Sequence, residues 1–277
     1  MRFYLSTTAD IDYDFNEETR EEKISYGAMR TVDFAVPNGM GLEIAEFCIA
    51  ENLDENLEET DAVIRKKVAL VPDIVLHGPY NELVPCAIDS RVRAVAEFRY
   101  GQALEMAKRY GARKIVFHAG YVPSNYFSGF FIHESVKFWK RFLDEHPGDY
   151  EICLENVIED DPSLLTGIAE GVDDERLKLC LDIGHCNLTP VKPMEWLDRF
   201  APYLSHLHIH NNMGRRPGDK AFSGDLHSGL GNGVIDINAI LEKTVSLCDG
   251  VTVTVESSDL AGSVEWLKRY KYLKDNG

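Results

Sequence analysis

Two hydrophobic periods take turns along this chain. Short runs rich in β-branched and aromatic residues occur at 2–7 (RFYLST), 42–49 (LEIAEFCI), 74–79 (IVLHGP), 114–119 (KIVFHA), 150–156 (YEICLEN), 177–183 (LKLCLDI), 206–211 (HLHIHN) and 251–257 (VTVTVES). Longer charged stretches with apolar residues at helical spacing lie near 18–35, 55–70, 89–110, 132–145, 162–170, 194–201, 236–247 and 261–273. Strands alternating with helices predict an α/β protein with a parallel sheet. Eight such units, with no linker-like Pro/Gly/Ser gap, predict one domain over 1–277 that closes into a (β/α)8 TIM barrel. An open doubly wound sheet would carry a glycine-rich phosphate turn, and the chain has no GxGxxG.

In such a barrel the strand-to-helix connections build the functional face. Two of them are long and acidic, TTADIDYDFNEE and ENLDENLEETD. YVPSNYFSGFF is aromatic and is expected as a pocket wall or lid. The longest, NNMGRRPGDKAFSGDLHSGLGNG, holds Arg215, Arg216 and Lys220, the densest positive charge on this face.

The strand ends carry the chemistry. Glu155, Asp182, His210 and Glu256 end the fifth to eighth runs. Three carboxylates and an imidazole can hold a divalent cation at the C-terminal mouth and leave positions for water or substrate. One acid at a strand end would read as a helix cap, but four at equivalent places read as a metal site. His77 (HGPY) and His118 (HAGY) end the third and fourth runs in matching contexts and can hold a second ion with Glu155 as a bridge. His185, three residues after Asp182, and Asp225 and His227 in DLHSG can converge on another. His206 and His208 share the alternation of His210 and are expected deeper, as core histidines beside Cys153 and Cys180.

Bulk properties narrow the partners. Forty-six acids against 29 bases give a net charge of −17, unfavourable for gripping a polyanion. Six cysteines without a CxxC read as reduced, buried thiols, as in a cytoplasmic protein. No run reaches membrane-spanning length, and the N-terminal apolar stretch is too short for a signal peptide. Nothing in the sequence fixes an oligomeric state.

Taken in order, GLEIAEF, LHGPY, FHAG, LEN, LDIGH, HIHN, DLHSGLGNGVID and VES resemble the xylose isomerase-like barrels, which include sugar isomerases and epimerases and the endonuclease IV-type AP endonucleases. The resemblance spans essentially the whole chain and implies a metal site at the mouth. Likeness to endonuclease IV implies three zinc ions: one on His77, His118 and Glu155, a second on Glu155, Asp182, His210 and Glu256, and a third on His185, Asp225 and His227. The chain departs from that pattern in reading LDIGH and HIHNN, and in its acidic mouth loops.

Likeness to the epimerase branch implies a different use of the same residues. Glu155 and Glu256 would be the catalytic acid/base pair, moving a proton through an enediolate stabilised by the metal. His185 and Arg216 would bind substrate, Arg216 because it follows His210 by six positions as a substrate-binding arginine does in ketose 3-epimerases. The charge balance favours this branch: a metal-dependent isomerase or epimerase for a small sugar or sugar phosphate, with no nucleic acid or membrane partner. Phosphodiester hydrolysis at a trinuclear zinc site is the alternative. The ligand types suit Zn, Mn, Co or Mg, with one to three ions.

Overall fold

The computed structural model describes residues 1–7, 27, 30–215 and 224–274. Eight parallel strands, β1 (Arg2–Ser6), β2 (Gly41–Ile44), β3 (Ile74–His77), β4 (Lys114–His118), β5 (Glu151–Glu155), β6 (Leu177–Asp182), β7 (Leu204–Ile209) and β8 (Thr252–Val255), pair in chain order and close β8 onto β1. The expected (β/α)8 barrel is therefore present. Residues 30–35 are helical, within the stretch expected as the first helix, most of which lies outside the described residues. The further helices of the described residues are α1 (Ala50–Leu53), α2 (Leu57–Val68), α3 (Ser90–Tyr110), α4 (Ser128–Glu145), α5 (Ser163–Val172), α6 (Ile183–Cys186), α7 (Pro193–Phe200), α8 (Ile237–Leu247) and α9 (Leu260–Arg269).

The period of two sorts each strand into two faces. Outward residues such as Ile115, Phe117, Ile152, Leu154, Leu207 and Val253 join the large core between sheet and helices. Tyr100 and Trp139 fill that layer and stack at 5.3 Å. Inward residues Tyr4, Val75, Val116, Cys153 and Cys180 form a separate plug inside the barrel. Above and beside the plug the inward positions turn ionisable.

Side-chain caps fix where several helices begin: Asp89 accepts from Arg91 N–H, Asp236 from Ala239 N–H and Asp259 from Gly262 N–H. Three expectations need correction. The second strand is short, and residues expected at its end instead form a 3-10 turn, Glu46–Cys48. The acidic ENLDENLEETD is not a loop, because α1 and the start of α2 take it up. In the aromatic stretch, Ser128–Phe131 form the first turn of α4, since Phe131 reaches the core; Phe127 stays 89% exposed. The acidic run after β1, apart from Thr7, and Arg216 and Lys220 lie outside the described residues.

No helix of the described residues is long and apolar enough to cross a membrane. All six cysteines are free thiols and all but Cys248 are buried.

Candidate metal centre

The nine residues singled out by the sequence meet at the C-terminal mouth. His77, His118, Glu155 and Asp182 are the last residues of β3 to β6, and His210 and Glu256 directly follow β7 and β8. His185 sits in α6, whose N-cap is Asp182; the Asp182 carboxylate accepts His185 N–H at 2.7 Å. The capping role of a strand-end acid is thus real here, and it leaves the other oxygen free. His227 is held at φ 43°, a left-handed conformation uncommon outside glycine.

Three clusters built on the expected residues emerge, beside two deeper ones, Glu43 with His77, His208 and Glu256, and Cys180 with His206 and His208. His77 Nε2 and His118 Nε2 lie 3.3 and 3.4 Å from Glu155 Oε2. His185 Nε2 and His227 Nε2 lie 3.1 and 3.5 Å from Asp225 Oδ2, with His210 Nε2 at 3.8 Å from Asp225 Oδ1. Glu155, Asp182 and Glu256 form the third cluster, in which the imidazole whose donor atom lies within 4.8 Å of all three carboxylates is that of His208. His210 instead touches Asp182 at 3.2 Å and falls in with the His185, Asp225 and His227 group. All nine expected residues therefore belong to one continuous centre, with His210 shared between two parts of it.

The tautomers are set for ligation. His77 Nδ1–H donates to the Gly78 carbonyl, His185 Nδ1–H to the Asn156 carbonyl and His227 Nδ1–H to the Glu256 carbonyl, at 3.0, 3.0 and 2.9 Å. Each ring then aims Nε2 at a carboxylate, the arrangement that prepares an imidazole for a metal. Asp182 Oδ2, Asp225 Oδ1 and both nitrogens of His210 are buried without a hydrogen-bond partner. Buried polar atoms rarely stay unpaired. Orphaned donors of this type fit a divalent cation. Such a cation would be held by His77, His118 and Glu155, by Glu155, Asp182 and Glu256 with a histidine of β7 or its end, or by His185, Asp225 and His227.

Electrostatics agree. Burial opposes charge on Glu155, but the imidazoles of His208, His118 and His77 outweigh it and hold its carboxyl well below the usual range. Burial pushes His118 down to about 3, which leaves it neutral. Burial opposes protonation of His227, yet Asp225, Glu256 and Asp182 raise it to about 9. Asp225 is lowered against the effect of its own burial by His185 and His227.

The motif asparagines hold the mouth together. Asn156 donates to the Asp182 carbonyl and accepts from Asp182 N–H, locking β5 to β6. Asn211 donates to the Leu230 and Ile235 carbonyls, which ties the glycine-rich segment to the end of β7, and Asn212 donates to the Gly184 carbonyl, which ties α6 to it. A Cβ on Gly233 would collide with the Asn211 side chain, so glycine is needed there.

Sequence reasoning missed Glu43. Its carboxylate is fully buried and contacts His206 and His208, each at 3.0 Å. The available signal was a carboxylate on an otherwise apolar strand. His206 and His208 are both fully buried. His206 is the expected satisfied core histidine, bonded to Thr252, Thr254 and Glu43, whereas His208 stands among the ligand carboxylates and its Nε2 has no hydrogen-bond partner. Beside His118, whose ring stacks on Tyr80 at 4.1 Å, a cavity of about 210 Å³ opens. Leu83, Val84, Tyr121 and Ile158 line it with Glu159, whose carboxyl burial pushes up to about 7.

Among known proteins, a "Probable endonuclease 4" of Mycobacterium leprae is 26% identical over 190 residues, 66% of this chain and 71% of its own. An uncharacterised protein of Methanocaldococcus jannaschii is 30% identical over 215 residues, covering 72% and 70%. The crystal structure of a D-tagatose 3-epimerase-like protein superposes with a TM-score of 0.71 at 23% identity, covering 98% and 97% of the two chains. The family model described as "Xylose isomerase-like TIM barrel" matches residues 38–270, and the chain belongs to that family.

Proposed function

We propose that the protein is a divalent-metal-dependent isomerase or epimerase of a small sugar or sugar phosphate. The observation that carries this is the convergence of Glu155 and Glu256. Both face His208 Nδ1, at 3.2 and 3.6 Å, and their donor atoms lie within 4.8 Å of each other. Glu155 is sealed at 1% side-chain exposure, whereas Glu256 at 13% opens to the mouth. One carboxylate can take the proton next to a substrate carbonyl and the other can return one at that carbon or its neighbour. A bound divalent ion would supply positive charge where the enediolate oxygens develop their negative charge. His185 and Arg216 are the proposed substrate contacts. The net charge of −17 and the small cavity beside His118 support a small substrate over a duplex.

The test is solvent deuterium uptake into a panel of ketoses and ketose phosphates. Wild-type protein should exchange the proton adjacent to the carbonyl, and Glu155→Gln and Glu256→Gln should each abolish exchange. Retained exchange in both variants refutes the acid/base assignment.

A second reading is metal-assisted phosphodiester hydrolysis, favoured by the nine ligand-type residues in one centre and by the endonuclease 4 relative. Incision of an abasic-site oligonucleotide at low salt would establish it, and absence of incision would remove it.

A further inference from the structure

Beneath the metal centre lies a row of buried polar groups that crosses the barrel from β2 through β7 to β5. Glu43 Oε2 accepts from Thr254 Oγ1–H at 2.5 Å and contacts His206 Nε2 at 3.0 Å. His206 in turn is fixed by Thr252 Oγ1 at 2.6 Å. These contacts anchor one oxygen of Glu43 and turn the other, Oε1, toward His208 Nε2 at 3.0 Å. His208 Nδ1 then lies 3.2 Å from Glu155 Oε1.

Burial makes this row consequential. Glu43, His206 and His208 are 0% exposed and Glu155 1%. Among the described residues, every ion pair of Glu43 or Glu155 is with a histidine, and none is with Lys or Arg. Glu155 is also the carboxylate common to two of the ligand clusters. Its Oε2 faces His77 and His118, while its Oε1 faces His208 and His185. Rotating this carboxylate would exchange its two oxygens between the clusters. A side chain hydrogen-bonded on its inner oxygen to a ring whose far nitrogen lies in ion-pair contact with a second buried carboxylate, though without hydrogen-bond geometry, cannot do so freely.

We propose that Glu43 and His208 act in series as a positioning pair that fixes the Glu155 carboxylate for its metal. This rests on Glu155 being a metal ligand, as in the functional reading above, but not on the identity of the reaction. This assignment makes His208 a positioning residue and His210 the histidine that serves the centre; the competing role for His208 is that of a ligand, since a ring nitrogen lies within 4.8 Å of Glu155, Asp182 and Glu256. Groups that orient a ligand change metal affinity about 10–100-fold when removed.

The experiment is a double-mutant cycle on His208→Gln and Glu43→Gln in the full chain. Co²⁺ affinity, Co²⁺ stoichiometry and the Co²⁺ visible spectrum are measured, with thermal melting to confirm folding. His208→Gln should weaken affinity about 10–100-fold and alter the spectrum, with the wild-type number of ions at saturation. Glu43→Gln should shift affinity in the same direction, and the double variant should be no weaker than His208→Gln alone, as expected for groups acting in series. Unchanged affinity in His208→Gln, or additive losses in the double variant, overturns the pair. Loss of a whole metal equivalent overturns it too, by making His208 a ligand. Wild-type protein that binds no Co²⁺ refutes the metal reading of Glu155 itself and the pair with it, a result distinct from the other failures.

Discussion

Gly184→Ala places a methyl group where the geometry of the centre is least forgiving. Gly184 is in α6, and a Cβ built on it would fall within the imidazole of His210, touching Cε1, Nε2 and Nδ1. The ring has little room to retreat. It is fully buried, lies 3.2 Å from Asp182 Oδ1, and stacks on His227 at 3.8 Å with only 7° between the planes. The backbone of Gly184 is pinned as well, because its carbonyl accepts from Asn212 Nδ2. Overpacking of this kind costs about 1–3 kcal/mol. The displaced His210 should lower metal affinity by about 10–100-fold, the range seen when the surroundings of a ligand are disturbed. Urea unfolding of the metal-free protein reads the first effect, and competition with a chromogenic chelator reads the second. Gly129→Ala is the control, since a Cβ there meets nothing within 4 Å in the first turn of α4. It should leave metal affinity unchanged and stabilise by up to about 1 kcal/mol. Wild-type metal affinity in a folded Gly184→Ala variant would refute the placement of His210 in the centre.

Two further outcomes follow from buried charge. Burial pushes the Glu46 carboxyl up to about 7 from its ordinary 4.5, despite the hydrogen bond donated by Thr7. A raised folded value gives stability that is complete below about pH 4.5 and lost as pH rises through about 7, worth on the order of 3 kcal/mol. Relative to Glu46→Gln, the wild type should therefore weaken by about that amount between pH 5 and pH 8 in urea titrations; parallel pH profiles would contradict this. His227, raised to about 9, carries a proton at pH 7.5 that must leave before Nε2 can ligate. Metal binding at pH 7.5 should thus release protons, measured by calorimetry in buffers of different ionisation enthalpy, and affinity should rise with pH toward about 9. Binding without proton release would place His227 outside the coordination.

The sequence carried the barrel because its two periods are local signals. Val116 and Phe117 face opposite ways simply because a strand alternates, and Phe117 joins the outer core while Val116 joins the inner plug. Six of the nine candidate residues were legible for a similar reason, since they stand at or directly after a strand's end, where the apolar run stops; His185 in α6 and Asp225 and His227 beyond β7 were legible only from the DxxH and DxH spacing. What was hidden depends on closure. Glu43 meets His208 across 165 positions of sequence, and the difference of their numbers says nothing of the contact. The grouping of ligands was also out of reach: whether His208 or His210 stands beside Glu155 depends on how steeply β7 runs past β5 and β6. The register shift between Leu179 and Cys180 in the β6–β7 pairing belongs to that level of detail. Helix starts near aromatic clusters were misjudged because Phe131 is committed by its place in the core, which local polarity does not report.

The most direct measurement is the metal content of the full chain after loading with Zn²⁺, Mn²⁺ or Co²⁺ and removal of excess ion, by elemental analysis. Three clusters of deprotonatable ligands with preset histidine tautomers predict about one to three tightly held equivalents per chain, with His77→Ala and Asp225→Ala reducing the number. Protein that is folded and retains no divalent ion under any of these loadings would contradict the metal centre on which the functional reading rests.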